Sequence, residues 1–267
     1  MTLEDLKEIF DDPRTHTSKS YHRIPNSGKK YNEDRALADP SSMRLFQDED
    51  TMEFFDEVTK EGIDSISVGY NCFIILYTDG DTAWSSGLPK HLHNKLKGRQ
   101  RWLPRPEIIA LGLRSSSSYY LQFADGKSDW CDLPDDLETA IQENDAPVDL
   151  ITIGDDDEYY VRFKDGSEDW SLPTDLSNLL NGRNGTRRGN YNLGEVKRIS
   201  LSDQSEWVVG FSDGGWQWSS KKARNSILED DVTYKMRSCE KIYEFQMGPN
   251  SDFVFLYEDD SDVCSSE

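Results

Sequence analysis

Trp84, Trp130, Trp170 and Trp218 recur at one position of a repeating pattern. An indole face binds cations and sugars, so a set of such platforms is one chemistry open to this chain. A tryptophan that recurs in each copy opposite two other aromatics serves packing first, and the four are read as core. Asp155-Asp-Asp-Asp-Glu158 and Asp259-Asp-Ser-Asp262 offer oxygens to calcium, but neither has the spacing of a calcium loop, and both read as solvated turns. His91 and His93 are two apart at a helix start, where they diverge and make a poor metal pair. His16 and His22 lie in a polar stretch. No Gly-x-Ser-x-Gly, His-Glu-x-x-His or phosphate-binding glycine loop occurs, and no acid–base pair has a spacing that demands catalysis. The expectation is a non-enzymatic protein without catalytic, cofactor or metal residues.

A different chemistry stands in two connectors. Arg99-Gln-Arg-Trp-Leu-Pro-Arg105 and Arg183-Asn-Gly-Thr-Arg-Arg-Gly-Asn-Tyr191 are basic, and each carries one aromatic. Arginine forks bind carboxylates and phosphates in pairs of hydrogen bonds. The candidate partner-binding residues are therefore Arg99, Arg101, Trp102, Arg105, Arg183, Arg187, Arg188 and Tyr191.

The elements that must position these residues are repeats. Tyr159-Tyr-Val-Arg-Phe163 alternates with period two and reads as a strand, Asp165-Gly166 reads as a hairpin turn, and Trp170 lies on the return strand. The turn aspartate recurs as Asp79, Asp125, Asp165, Asp213 and Asp259. Five residues on stand the four tryptophans and, last, Cys264. Six residues before each turn stand Phe73, Tyr119, Tyr159, Trp207 and Phe253, and two before stand Tyr77, Phe123, Phe163, Phe211 and Tyr257. Matches at three fixed offsets in each copy mark an internal repeat. A first segment precedes each, apolar with an uneven gap: Ile63/Ile66/Val68, Ile108/Leu111/Leu113, Val148/Ile151/Ile153, Val196/Ile199/Leu201 and Ile242/Phe245/Met247. One repeat is thus a three-stranded antiparallel meander. A short helix follows the first four, started by Leu88-Pro89, Leu133-Pro134 and Leu172-Pro173 in the first three.

Such a unit cannot bury its aromatic face alone, and its middle strand is apolar on both sides. Stacking the units covers both faces. The expected fold is mainly β, with five repeats of about 46 residues set as a β-propeller-like ring. The repeats span about 60–100, 106–145, 146–184, 194–230 and 239–267, within a repeat domain 43–267. A helix at 51–59 is expected to fill the place left by the helix that the fifth copy lacks. Val161-Arg-Phe-Lys-Asp-Gly-Ser167 resembles the Val-x-Phe-x-Asp-Gly hairpin of Tudor-type domains, small barrels that read methylated lysine or arginine. That resemblance implies the alternative fold, a tandem array of small SH3/Tudor-like barrels, and methyl-lysine or methyl-arginine reading as an alternative function.

Residues 1–42 read as a leader, one short helix and then polar chain, with Arg14–Arg35 a basic island. The net charge of −21 argues against nucleic acid as partner. Cys72, Cys131, Cys239 and Cys264 form no metal or disulfide pattern and suit a reducing compartment. No apolar run reaches the roughly 18 residues that span a bilayer. The function expected is a protein-interaction or scaffold module, cytoplasmic and monomeric, that takes a protein or peptide on its rim. Lectin-like carbohydrate binding through the tryptophans is a further alternative.

Overall fold

Each alternating stretch becomes a strand, and each Asp-Gly pair turns the chain back. The computed structural model describes residues 24–25, 34–38, 63–78, 80–85, 87–97, 103–182, 194–219, 242–249 and 253–258. The protein is mainly β. Strands β1 (Ile24–Pro25) and β2 (Asp34–Ala38) come first. The first repeat holds β3 (Ile63–Val68), β4 (Phe73–Tyr77), β5 (Thr82–Trp84) and α1 (Lys90–Leu96). The second holds β6 (Pro106–Leu111), β7 (Tyr119–Phe123), β8 (Ser128–Cys131) and α2 (Asp135–Glu143). The third holds β9 (Val148–Ile153), β10 (Tyr159–Phe163), β11 (Glu168–Ser171) and α3 (Thr174–Gly182). Then follow β12 (Val196–Leu201), β13 (Trp207–Phe211), β14 (Trp216–Trp218), β15 (Ile242–Met247) and β16 (Phe253–Glu258).

The first four repeats each form a three-stranded antiparallel sheet in meander order. Their registers coincide: Ile74 faces Trp84, Tyr120 faces Trp130, Tyr160 faces Trp170 and Val208 faces Trp218. Among the described residues no sheet closes on itself, which speaks against the alternative of tandem small barrels.

The turn chemistry differs in detail from a two-residue hairpin. Among the described residues of these turns only the glycine is left-handed, with φ of 88°, 82°, 87° and 85° at Gly80, Gly126, Gly166 and Gly214. The aspartate before it works as an acceptor instead. Its carboxylate takes the amide two residues on, Lys127 at 3.2 Å, Ser167 at 2.9 Å and Gly215 at 2.9 Å. Aspartate recurs because the turn needs that oxygen, and glycine because it needs that φ. Hydrogen bonds from the Lys127 and Ser167 side chains, joined by these amide bonds, hold the Asp125 and Asp165 carboxyls below their ordinary range.

The uneven gap of the first segments is a β-bulge. In all five sheets the register slips after the first residue of the opening strand, so Asp64, Glu107, Asp149, Lys197 and Tyr243 face no partner on the middle strand.

The fifth sheet departs most from expectation. It has four strands, in the order β1-β2-β16-β15. Ala38 pairs with Val254, the place at which the repeat pattern puts Cys264. A segment from the stretch read as a leader thus takes the third-strand position. The reason is physical: β16 has an open edge on that side, and unpaired edge groups take any extended segment in reach. Cys264, Asp259, Asp79 and the helix expected at 51–59 lie outside the described residues.

Neighbouring sheets pack face to face. One apolar cluster joins Ile74, Leu88, Leu92 and Leu96 of the first repeat to Leu111, Tyr119 and Leu121 of the second. The next joins Tyr120, Leu133 and Leu137 to Ile153, Tyr159 and Val161, and a third joins Tyr160, Leu176 and Leu180 to Ile199, Val209 and Phe211. The helices sit between sheets, and Leu92, Leu137 and Leu176 are fully buried. The opening strands also touch one another: β3 meets β6, β6 meets β9, β9 meets β12, β12 meets β15, and β15 meets β3.

Candidate functional site

Three places in this architecture can meet a ligand: the space between the opening strands, the edge that carries the Asp-Gly turns, and the grooves beside the helices. Each is built by a different part of the repeat.

The opening strands enclose a cavity of about 250 Å³. Its lining is apolar where the strands end, at Val68, Leu111, Leu113, Ile153, Leu201 and Met247, all buried. The close approach there depends on glycine: a Cβ on Gly69 would lie 2.8 Å from Leu111 Cβ. Hydroxyls bind neighbouring strands together, since Ser67 Oγ accepts from Leu111 N at 2.8 Å and Ser200 Oγ from Met247 N at 2.7 Å. Where the strands begin, the bulges turn Asp64, Glu107 and Asp149 toward the opening, beside Arg198 and Glu244. Most of these charges are matched in place. Arg162 Nε donates to Asp149 at 2.8 Å, Lys164 lies 3.3 Å from Glu107, and Arg198 lies 3.1 Å from Glu244. Burial pushes the Glu244 carboxyl up, against the opposing pull of Arg198. The carboxylates of this cavity are thus largely engaged by cations of the same protein.

The second place is the turn edge. Backbone bonds bring the chain entering the second, third and fourth repeats beside the Asp-Gly turn of the same repeat: Ala124 N donates to Arg105 O, Lys164 N to Pro147 O and Ser212 N to Glu195 O, at 2.8–2.9 Å. The connectors therefore arrive on the side of the Asp-Gly turns, as their sequence order suggests. Arg105 is exposed on this side and its guanidinium donates to Thr78 O at 3.1 Å, tying the second repeat to the turn of the first. Arg99, Arg101, Trp102, Arg183, Arg187, Arg188 and Tyr191 lie outside the described residues.

The tryptophans do not stand clear of the sheets. All four are half-buried. Trp130 stacks on Tyr120 at 6.5 Å, Trp170 stacks on Tyr160 at 6.2 Å, and Trp84 meets His93 edge-on at 5.8 Å. His93 is thereby drawn into packing. Among the described residues no group of three or more His, Cys, Asp or Glu is placed to hold a metal. In the acidic turn of the third repeat, Asp157 pairs with Arg114 and the Glu158 carboxyl is pushed up by burial. Burial also pushes the Cys72 thiol up to about 12, which leaves it un-ionised and unreactive.

The third place went unnoticed in the sequence. In the second and third repeats the aromatic opening the middle strand is a tyrosine whose hydroxyl donates to an aspartate on the third strand. Tyr119 donates to Asp129 at 2.5 Å and Tyr159 to Asp169 at 2.7 Å. The first and fourth repeats have neither hydroxyl nor acid there, with Phe73 and Ala83, and Trp207 and Gln217. That pairing of tyrosine with aspartate was the signal available. Burial and the adjacent aspartate push both tyrosine hydroxyls up, so they stay protonated donors. Beside the third-repeat pair, α2 and β11 form an open groove of about 1050 Å³.

No family model matches the chain, and no curated protein matches it. Among solved structures it is similar to the crystal structure of human WBSCR16, at 10% sequence identity and a TM-score of 0.34, over 70% of this chain and 72% of that one. A likeness at that level bears on neither fold nor function. Among the described residues no helix is long and apolar enough to cross a membrane.

Proposed function

We propose that the chain is a non-enzymatic interaction module, a five-sheet propeller-like ring that docks a protein or peptide on the edge carrying its Asp-Gly turns. It works as a monomer in the cytoplasm. The ring reading is supported by the run of contacts between opening strands, which passes from β3 through β15 and back to β3. Strand β2 then serves as the clasp, joining the N-terminal chain to the last repeat. Small-angle scattering of a disc-shaped particle is expected. An elongated particle would refute closure, and a chain starting at residue 43 that folds with unchanged stability would refute the clasp.

The observation that carries the binding reading is where the connectors enter. Residues shared by the copies are used internally, in turns, stacks and ion pairs, and function in repeat proteins resides where copies differ. The copies differ most in the basic connectors, and the chain beside them lies at the turn edge. Arginine forks on an otherwise acidic body select carboxylate- or phosphate-bearing partners by charge. Affinity capture with wild type and with Arg183→Glu/Arg187→Glu/Arg188→Glu tests this. Loss of partners from the triple variant is expected, and an unchanged set of captured proteins removes the reading.

A further inference from the structure

Two successive helix–sheet boundaries in this protein share one polar device and treat it differently. Between α1 and β8, Lys95 extends its ammonium to Asp129 at 2.7 Å, while Tyr119 donates to the same carboxylate from the other side. Between α2 and β11 the tyrosine and aspartate recur as Tyr159 and Asp169. Counted from the Leu-Pro that starts each helix, the place of Lys95 is held by Ala140. No ion pair forms at Asp169 among the described residues.

The rest of the second groove enlarges the contrast. It is lined by Asp136, Glu143, Asp145, Asp165, Glu168 and Asp169, and by no basic residue. Its end toward the turn is held by Asn144, whose side-chain amide donates to Ser167 Oγ at 2.9 Å. Strand β11 is the last of its sheet, and its outer edge pairs with no strand among the described residues. An unpaired edge accepts an extended segment by backbone hydrogen bonds, and the side chains facing it set the choice of segment.

We infer that the groove between α2 and β11 is a docking site for an extended, lysine-bearing segment of a partner protein. The lysine ammonium sits on Asp169 as Lys95 sits on Asp129. The protein supplies its own template for the contact: one groove is filled in cis, and the other presents the same acceptor with the cation deleted. The surrounding carboxylates select a cation over a neutral side chain, and the charge-assisted bond to Asp169 fixes its position. This site is separate from the basic connectors and its test changes none of their residues, so either reading can fail alone.

The test uses the full chain, isotope-labelled, at low salt, with an end-capped heptapeptide Ser-Thr-Val-Lys-Val-Thr-Ser as probe. Saturable binding at one site is expected, with chemical-shift changes centred on β11 and α2. Ala140→Lys, which supplies the cation in cis, and Asp169→Asn should each weaken binding about tenfold or more, as should norleucine in place of the peptide's lysine. Asp156→Asn, which removes a charge outside the groove lining, should leave affinity within about twofold. Lys95→Ala should open the first groove and raise the stoichiometry from one peptide to two. The inference is overturned by absence of saturable binding, by shifts centred elsewhere, or by Ala140→Lys and Asp169→Asn variants, folded by circular dichroism, that bind as tightly as wild type.

Discussion

The boundary between the first and second sheets and the boundary between the second and third are built on one plan and finished differently. In both, a helix seats a leucine fully out of water, Leu92 in one and Leu137 in the other. In both, a tyrosine from the later sheet donates to an aspartate. The inner ends diverge. At the first boundary Leu76 holds the sequence position that Gln122 holds at the second, three residues before the turn aspartate, and the next sheet starts with Pro106; proline has no N–H to satisfy. At the second, Gln122 stands at the matching position and the next sheet starts with Val148. The glutamine amide accepts from Val148 N and donates to Val148 O, both at 3.0 Å. An apolar side chain goes with a next sheet whose first residue lacks a donor, and an amide goes with one whose first residue has both backbone groups. The outer ends diverge too, with Lys95 filling one groove and Ala140 leaving the other open. The shared positions hold sheets together, and the variable ones decide what else each boundary can hold.

That comparison can be broken by mutation. The largest effect is expected at the shared leucines. Leu92→Ala and Leu137→Ala should each cost about 2–5 kcal/mol in urea unfolding. A large loss at only one of them would mean the two boundaries are not built alike. Next comes the inner clamp. Gln122→Leu leaves the Val148 N–H and C=O without the partner they have now, at about 1–3 kcal/mol. The double variant Gln122→Leu/Val148→Pro copies the Leu76–Pro106 pair and should cost less than Gln122→Leu alone. A double variant less stable than the sum of its parts would show that the pairs are not interchangeable. The smallest effect is at the outer ends. The Lys95–Asp129 pair is partly exposed, at 42% and 29%, so Lys95→Ala should lower stability by no more than about 1 kcal/mol. Ala140→Lys should raise it by no more than that, with both changes shrinking in high salt.

Much of the fold was legible because the repeat wrote it several times. The aromatics flanking Asp125 and Asp165, the Leu-Pro helix starts and the uneven gap in the opening strands each correspond to an element found. The gap was visible at Ile63/Ile66/Val68, but its meaning as a bulge was not, because a slipped register exists only against a partner strand. The candidate site was less legible. The Tyr159–Asp169 pair is ten residues apart across a hairpin and can be inferred from register. The vacancy beside it cannot, because it depends on a helix of the preceding repeat coming to rest against β11.

The sequence by itself determined the period, the strands and the turns, because these depend on interactions within about ten residues: alternation, the φ of glycine, the acceptor of aspartate. Tertiary structure alone decided three things. It placed Asp34–Ala38 on β16, a pairing made by an open edge that neither segment encodes locally. It engaged Asp149 with Arg162 and Glu244 with Arg198, so that acids scattered along the chain became matched charges. And it set Lys95 on Asp129 while leaving Asp169 without a cation from α2, because which side chains meet across two packed sheets is fixed by their stacking and not by their order.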